Sequence, residues 1–242
     1  MKRTLQIIFI VSLSILFACN SDRNKEASAP IEVVSHENSI LTPAAGWGTM
    51  KFAPPVAGTY SLPPIGKAAD GNVLTEEGLS KRLSDFYGDK IVILSFICTQ
   101  CSDFNGCPLV TAVFYKLQQA LMNDPELEDQ LRLVSLSFDP EYDTPEVMRF
   151  YGAGSKDFGS LEWQFLTTES QQELTPIVEG FGQYVNQEYD EEGNMTGSFA
   201  HILRVFLIDK NGVKRSQYSA GFLHEDSLIS DVKTLLMEER NS

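Results

Sequence analysis

Between residues 90 and 98 the chain reads KIVILSFIC, a near-continuous apolar run rich in β-branched residues. That is how a strand buried on both faces reads. The pattern then changes period. In PLVTAVFYKLQQALMN, apolar Leu109, Val113, Leu117 and Leu121 recur every four residues, which predicts a helix. LRLVSLSFD, 131–139, predicts a second buried strand. DTPEVMRFYG predicts a helix capped by Asp143 or Thr144, with Pro145 suited to its first turn. LEWQFLT predicts a third strand and QQELTPIVEGFG a third helical piece. HILRVFLID, KNG and VKRSQYS predict a hairpin turning on a glycine, and EDSLISDVKTLLMEER a terminal amphipathic helix. Upstream, TYSLPPI reads as extended, DGNVL as carrying a turn, and EEGLSKRLSDFYG as a short helical piece ending at Gly88. NQEYDEEGNMTGSFA reads as a long acidic loop before the hairpin.

This alternation predicts an α/β fold, a thioredoxin-like sandwich with a central mixed sheet flanked by helices. The fold's reactive cysteines sit where the first central strand meets its helix, and three of the chain's 4 cysteines fall there, in FICTQCSDFNGCPL. No internal repeat or second domain is visible.

The N-terminus changes the picture of where the domain works. Lys2 and Arg3 precede LQIIFIVSLSILFA, an apolar run of signal-peptide length and too short for a membrane span. It ends in LFAC, which resembles a bacterial lipobox. Residues 1–19 are therefore expected to be a lipoprotein-type signal peptide, with Cys19 as the lipidated residue. Residues 20–45 are polar and read as a flexible linker, and residues 46–242 as the folded domain. The expected location is the extracytoplasmic (periplasmic) face of a bacterial membrane, where disulfide chemistry is permitted. Lys+Arg 19 against Asp+Glu 33 gives −14. Such an acidic chain lacks the basic face that a phosphate backbone needs, so no nucleic acid is expected as partner.

The cysteine cluster carries the chemistry. Thiolate is both nucleophile and metal ligand, and a helix N-terminus favours it. Cys107 precedes Pro108 at a helix start, with Cys101 in the loop before it. Gly106 lets the SDFNG loop bend and bring the two sulfurs together. Two thiolates and an imidazole suit copper, above all Cu(I). The available imidazole is His201, expected just before a strand and beside the cysteine loop.

LSFICTQCSDFNGCPL, SLSFDPEYDTPEVMRFYG and AHILRVFLIDKNG, in that order, resemble the Sco/SenC family over roughly residues 55–240. These are thioredoxin-fold, membrane-tethered copper-binding proteins that help assemble the copper A centre of cytochrome c oxidase. The resemblance implies Cys101, Cys107 and His201 as ligands of Cu(I), and of Cu(II) as well. It implies Asp139 as a supporting residue behind them. Implied partners are an oxidase subunit carrying the copper A site, a thiol reductase, and the membrane through the lipid anchor. The sequence departs twice from the commoner family form. Its loop is longer than CxxxCP, and Cys98 stands where a tyrosine is usual.

Alternatives stay open at each position. Cys101 and Cys107 suit a structural disulfide, or a thiol–disulfide oxidoreductase cycling Cys98–Cys101 or Cys101–Cys107. Cys98 reads as a small buried hydrophobe. His201 alone suits a structural role, Asp139 a strand terminator, and His224 a surface or capping histidine. A metallochaperone is favoured over an enzyme.

Overall fold

The computed structural model describes residues 42–157 and 159–240. The expected signal peptide, Cys19, and the expected linker up to residue 41 lie outside them. Among the described residues, ten strands occur in chain order: β1 (Gly66–Lys67), β2 (Asn72–Thr75), β3 (Ser80–Arg82), β4 (Ile91–Ile97), β5 (Leu131–Ser137), β6 (Glu162–Thr167), β7 (Val185–Tyr189), β8 (Met195–His201), β9 (Val205–Ile208) and β10 (Val213–Tyr218). Among the described residues, five α-helices accompany them: α1 (Cys107–Leu121), α2 (Pro125–Asp129), α3 (Pro145–Gly152), α4 (Gln171–Gly180) and α5 (Glu225–Arg240).

The two apolar runs become the sheet's centre. β4 and β5 are buried at every position and pair in parallel, Leu94 opposite Val134 and Ser95 opposite Ser135. The whole eight-stranded sheet runs β1-β10-β9-β4-β5-β6-β2-β3. β4, β5 and β6 are parallel, while β9 lies antiparallel on the other side of β4. The sheet is therefore mixed. Two of its interior serines pair: Ser95 and Ser135 meet at 3.3 Å, and the Trp163 indole N–H donates to Ser135 at 3.0 Å. Arg132 in buried β5 is matched by the Asp89 and Glu162 carboxylates and by the Phe86 carbonyl.

The helix stripe predicted for α1 is its buried face: Leu109, Val113, Leu117 and Leu121, joined by Val110 and Phe114. Each fully buried leucine contributes about 1.5–3 kcal/mol by transfer from water alone. Thr144, rather than Asp143, caps α3, its hydroxyl accepting the Val147 N–H.

Three elements differ from the reading of the sequence. EEGLSKRLSDFYG is not one helical piece; it turns at Gly78 (φ 79°), forms β3 against β2, and ends in a single 3-10 turn over Leu83–Phe86. The acidic loop is a two-stranded ribbon of β7 and β8. His201 is the last residue of β8, and the following strand starts only at Val205. The KNG hairpin turn is as expected. Asp209 accepts the Asn211 and Val213 N–H groups, and Gly212 takes φ 70°.

Candidate metal centre

The cysteine segment leaves the C-terminal end of β4 and enters α1. Its first turn is fixed from below. The Asp143 carboxylate accepts the Thr99 N–H at 3.1 Å and the Ser137 hydroxyl at 2.5 Å, and also the Thr99 hydroxyl. The Cys101 N–H then donates to the Cys98 carbonyl at 3.2 Å, a tight turn across CTQC. Beyond it, Asp103 accepts the Asn105 N–H at 3.0 Å and its carbonyl accepts the Gly106 N–H at 2.9 Å. Cys107 opens α1, with Pro108 behind it where a missing N–H costs nothing.

Cys98 is 3 % exposed and Cys107 2 %, while Cys101 is half-buried at the surface. None of the three is in a disulfide. The buried Cys98 N–H donates to the Cys107 sulfur at 3.3 Å. The three thiols are unequal. A hydrogen bond from Cys107 draws Cys101 down to about 5 despite partial burial, helped by nearby backbone N–H groups and by His201. Cys107 is pushed well up by that same bond and by burial. Burial lifts Cys98 to about 12. One sulfur of the Cys101–Cys107 pair is thus held as thiolate near neutral pH, with the other as its proton donor.

His201 reaches the pair from the ribbon. Its Nε2 lies 3.8 Å from the Cys107 sulfur. Its Nδ1 lies 3.3 Å from the Phe199 carbonyl, which can only accept. Nδ1 therefore donates to that carbonyl, and Nε2 faces the Cys107 sulfur. The ring rests on Phe138 at 4.7 Å, and Phe199 meets the same ring at 5.2 Å. Just past His201, buried Gln183 donates to the Ile202 carbonyl at 2.8 Å and anchors the ribbon's base. A cleft of about 250 Å³ opens between loop and ribbon, lined by Cys98, Cys101, Phe138 and His201 among others.

The donor chemistry fits a soft metal. Metal–thiolate and metal–imidazole bonds of about 2.3 and about 2.0 Å put two donors about 3.5–3.7 Å apart at a tetrahedral or trigonal centre. The Cys107–His201 separation of 3.8 Å matches. Among the described residues, however, no three His, Cys, Asp or Glu side chains already close into a cage. Cys101, in the loop, already takes a hydrogen bond from Cys107.

The sequence-predicted residues are gathered unevenly. Cys101, Cys107 and His201 come together, with Cys98 beneath them. Asp139 stands to one side, its carboxylate accepting the Tyr142 N–H at 3.4 Å, and burial and the Asp143 charge push it up. Asp143 was legible only as a helix cap; it is fully buried and holds the cysteine turn. Tyr151 was not singled out at all. Its hydroxyl meets Thr111 at 2.6 Å, and Thr111 in turn donates to the Cys107 carbonyl. Neither residue carries a motif of its own. His224 is buried too: its Nδ1 accepts the Asp226 N–H, and its Nε2 donates to the Gly48 carbonyl at 3.1 Å.

Among known proteins, the chain is 28% identical over 163 residues to the SCO1 protein homolog of Bacillus subtilis strain 168, covering 66% of this chain and 77% of that protein. A SCO1/SenC family lipoprotein from Bacillus anthracis superposes with a TM-score of 0.60 at 24% identity, over 73% of this chain and 99% of its own. BsSco, a member of the Sco family of cytochrome c oxidase assembly proteins in which a disulfide switch was identified, superposes at 0.56 and 25% identity, over 73% and 97%. Yeast Sco1 with copper bound shares the fold at 0.56 and 19% identity, over 74% and 95%. The SCO1/SenC family model matches residues 72–237, from β2 through the cysteine loop and the histidine ribbon into α5. With well over half of its length inside that match, the chain belongs to the SCO1/SenC family.

Proposed function

We propose that this protein is a membrane-tethered copper chaperone that takes Cu(I), and also Cu(II), as cargo. Cys101, Cys107 and His201 are the proposed ligands, and a copper site of a respiratory oxidase is the proposed client. The observation that carries this reading is the His201 Nε2 set 3.8 Å from the Cys107 sulfur. Two thiolates and an imidazole favour copper over harder cations. Its relative BsSco is an oxidase assembly protein, and yeast Sco1, which shares the fold, holds copper. Cys101 is the most exposed thiol and so the first to yield to an incoming client ligand. Anchoring through Cys19 on the extracytoplasmic face belongs to this proposal. Among the described residues, no helix is long and apolar enough to cross a membrane.

A second reading has its own support. A half-buried Cys101 thiolate beside a protonated Cys107 is the starting state for thiol–disulfide exchange, whether with a reductase or with the client's cysteines. Cys98, buried and pushed to about 12, is the poorer nucleophile for such a cycle.

The deciding experiment is a Cu(I) titration of the reduced protein against a competing chelator, on wild type, Cys98→Ala and His201→Ala. One tight copper, kept without Cys98 and weakened at least about tenfold without His201, supports the chaperone. No tight copper in the wild type abandons it in favour of thiol exchange.

A further inference from the structure

The cysteine loop is also held from outside. Its ends are fixed by β4 and α1, and Phe104 and Asn105 lie just before the start of α1 at Cys107. They are gripped by the segment 42–48, which precedes the rest of the domain. The Trp47 ring stacks on Phe104 at 4.2 Å, with an interplanar angle of 10°. Asn105 bonds twice to the same segment: its Oδ1 accepts the Ala44 N–H at 3.0 Å, and its Nδ2 donates to the Thr42 carbonyl at 3.1 Å.

That segment is itself fastened to the body. Lys116 of α1 donates to the Gly46 carbonyl at 2.6 Å, and His224 at the head of α5 donates to the Gly48 carbonyl. Gly46 is buried against α1. A methyl group there would stand 2.8 Å from the Leu223 carbonyl and meet Val113 and Leu109 as well. The close approach needs glycine. Trp47 keeps its indole Nε1 buried with no hydrogen-bond partner, so the aromatic stack, not an indole hydrogen bond, carries its contact.

We infer that residues 42–48 form a strap that positions the Cys101–Cys107 loop, with Trp47 and Asn105 as positioning residues acting through Phe104 and the loop backbone. The strap holds the loop that carries Cys101, the more exposed member of the Cys101–Cys107 pair. In its effect on metal affinity, the inference rests on the copper reading above. In its effect on the loop it does not.

The test uses Trp47→Leu, Asn105→Ala and Gly46→Ala, with Trp47→Phe as the conservative control. Two quantities are read: hydrogen exchange of the loop amides 102–106 in the reduced, copper-free protein, and Cu(I) affinity by chelator competition. The expected result is faster loop exchange and about tenfold weaker Cu(I) binding in the first three variants. Trp47→Phe keeps the stack and behaves as wild type. Thermal unfolding checks that each variant folds; if Gly46→Ala does not, Trp47→Leu and Asn105→Ala decide alone. Wild-type loop exchange in Trp47→Leu and Asn105→Ala overturns the strap. If the wild type binds no copper, the chaperone reading fails while the exchange measurement still judges the strap.

Discussion

The Asp143 carboxylate accepts the Thr99 N–H at 3.1 Å, so a residue just before α3 sets the first turn after β4. It also accepts the Thr99 and Ser137 hydroxyls, and Asp143 and Ser137 are both fully buried. Asp143→Ala leaves buried donors unpaired and is expected to cost about 3 kcal/mol. Asp143→Asn keeps most of the acceptor capacity and costs less. Urea unfolding of the two variants checks the order; equal losses would rule out the hydrogen-bond account.

The unequal thiols predict an order of labelling. With Cys101 at about 5 and Cys98 at about 12, iodoacetamide should modify Cys101 readily at pH 6.5 and leave Cys98 untouched in the folded protein. Raising the pH from 6.5 to 8 should barely accelerate Cys101, because it is already ionised. Peptide mapping after timed labelling reads both. A Cys101 rate that climbs tenfold per pH unit over that range would contradict the thiolate assignment.

Acid should loosen the domain through Arg132. Its hydrogen bonds hold the Asp89 carboxyl below its ordinary value, and they do the same for Glu162 against the opposing effect of burial. Groups depressed in the folded state stabilise it above their unfolded values, near pH 4, and lose that contribution as pH falls through the folded ones. Stability is therefore expected to fall with acidification below about pH 5. Glu162→Gln should flatten part of that slope while lowering stability at pH 7. Denaturation midpoints from pH 3 to 7 measure it, and an unchanged slope would remove Glu162 from the account.

Gly152, the last residue of α3, sits on the Phe165 ring of β6. An added Cβ would stand 2.5 Å from Phe165 Cε2. Gly152→Ala is expected to cost about 1–3 kcal/mol by overpacking, although alanine favours helix elsewhere. A stabilised variant would show that α3 can shift freely on the sheet.

The sequence was most legible where one period dominated. KIVILSFIC and LRLVSLSFD are buried on both faces and became β4 and β5, and the four-residue repeat became α1. The cysteine loop was placed correctly because its position depends only on that strand–helix junction. The ribbon was missed because β7 buries almost nothing: Asn186, Glu188 and Tyr189 face solvent, so no alternation marks it. β3 was missed for the same reason, all three of its residues being exposed. Asp143 was mistaken for a cap because TPE beside it does start a helix. The donors it satisfies, at Thr99, lie forty-four residues away.

The ribbon's separateness has a consequence for the donor set. β7 and β8 pair with each other and with no strand of the eight-stranded sheet among the described residues. The sulfurs sit on the loop between β4 and α1 and at the head of α1, whereas the imidazole rides on this ribbon, which packs on the body through Val185, Phe199 and Phe138. On the proposed copper reading, the donors therefore come from two separately hydrogen-bonded pieces, so a substitution that loosens the ribbon is expected to remove the imidazole while leaving the two thiols in place.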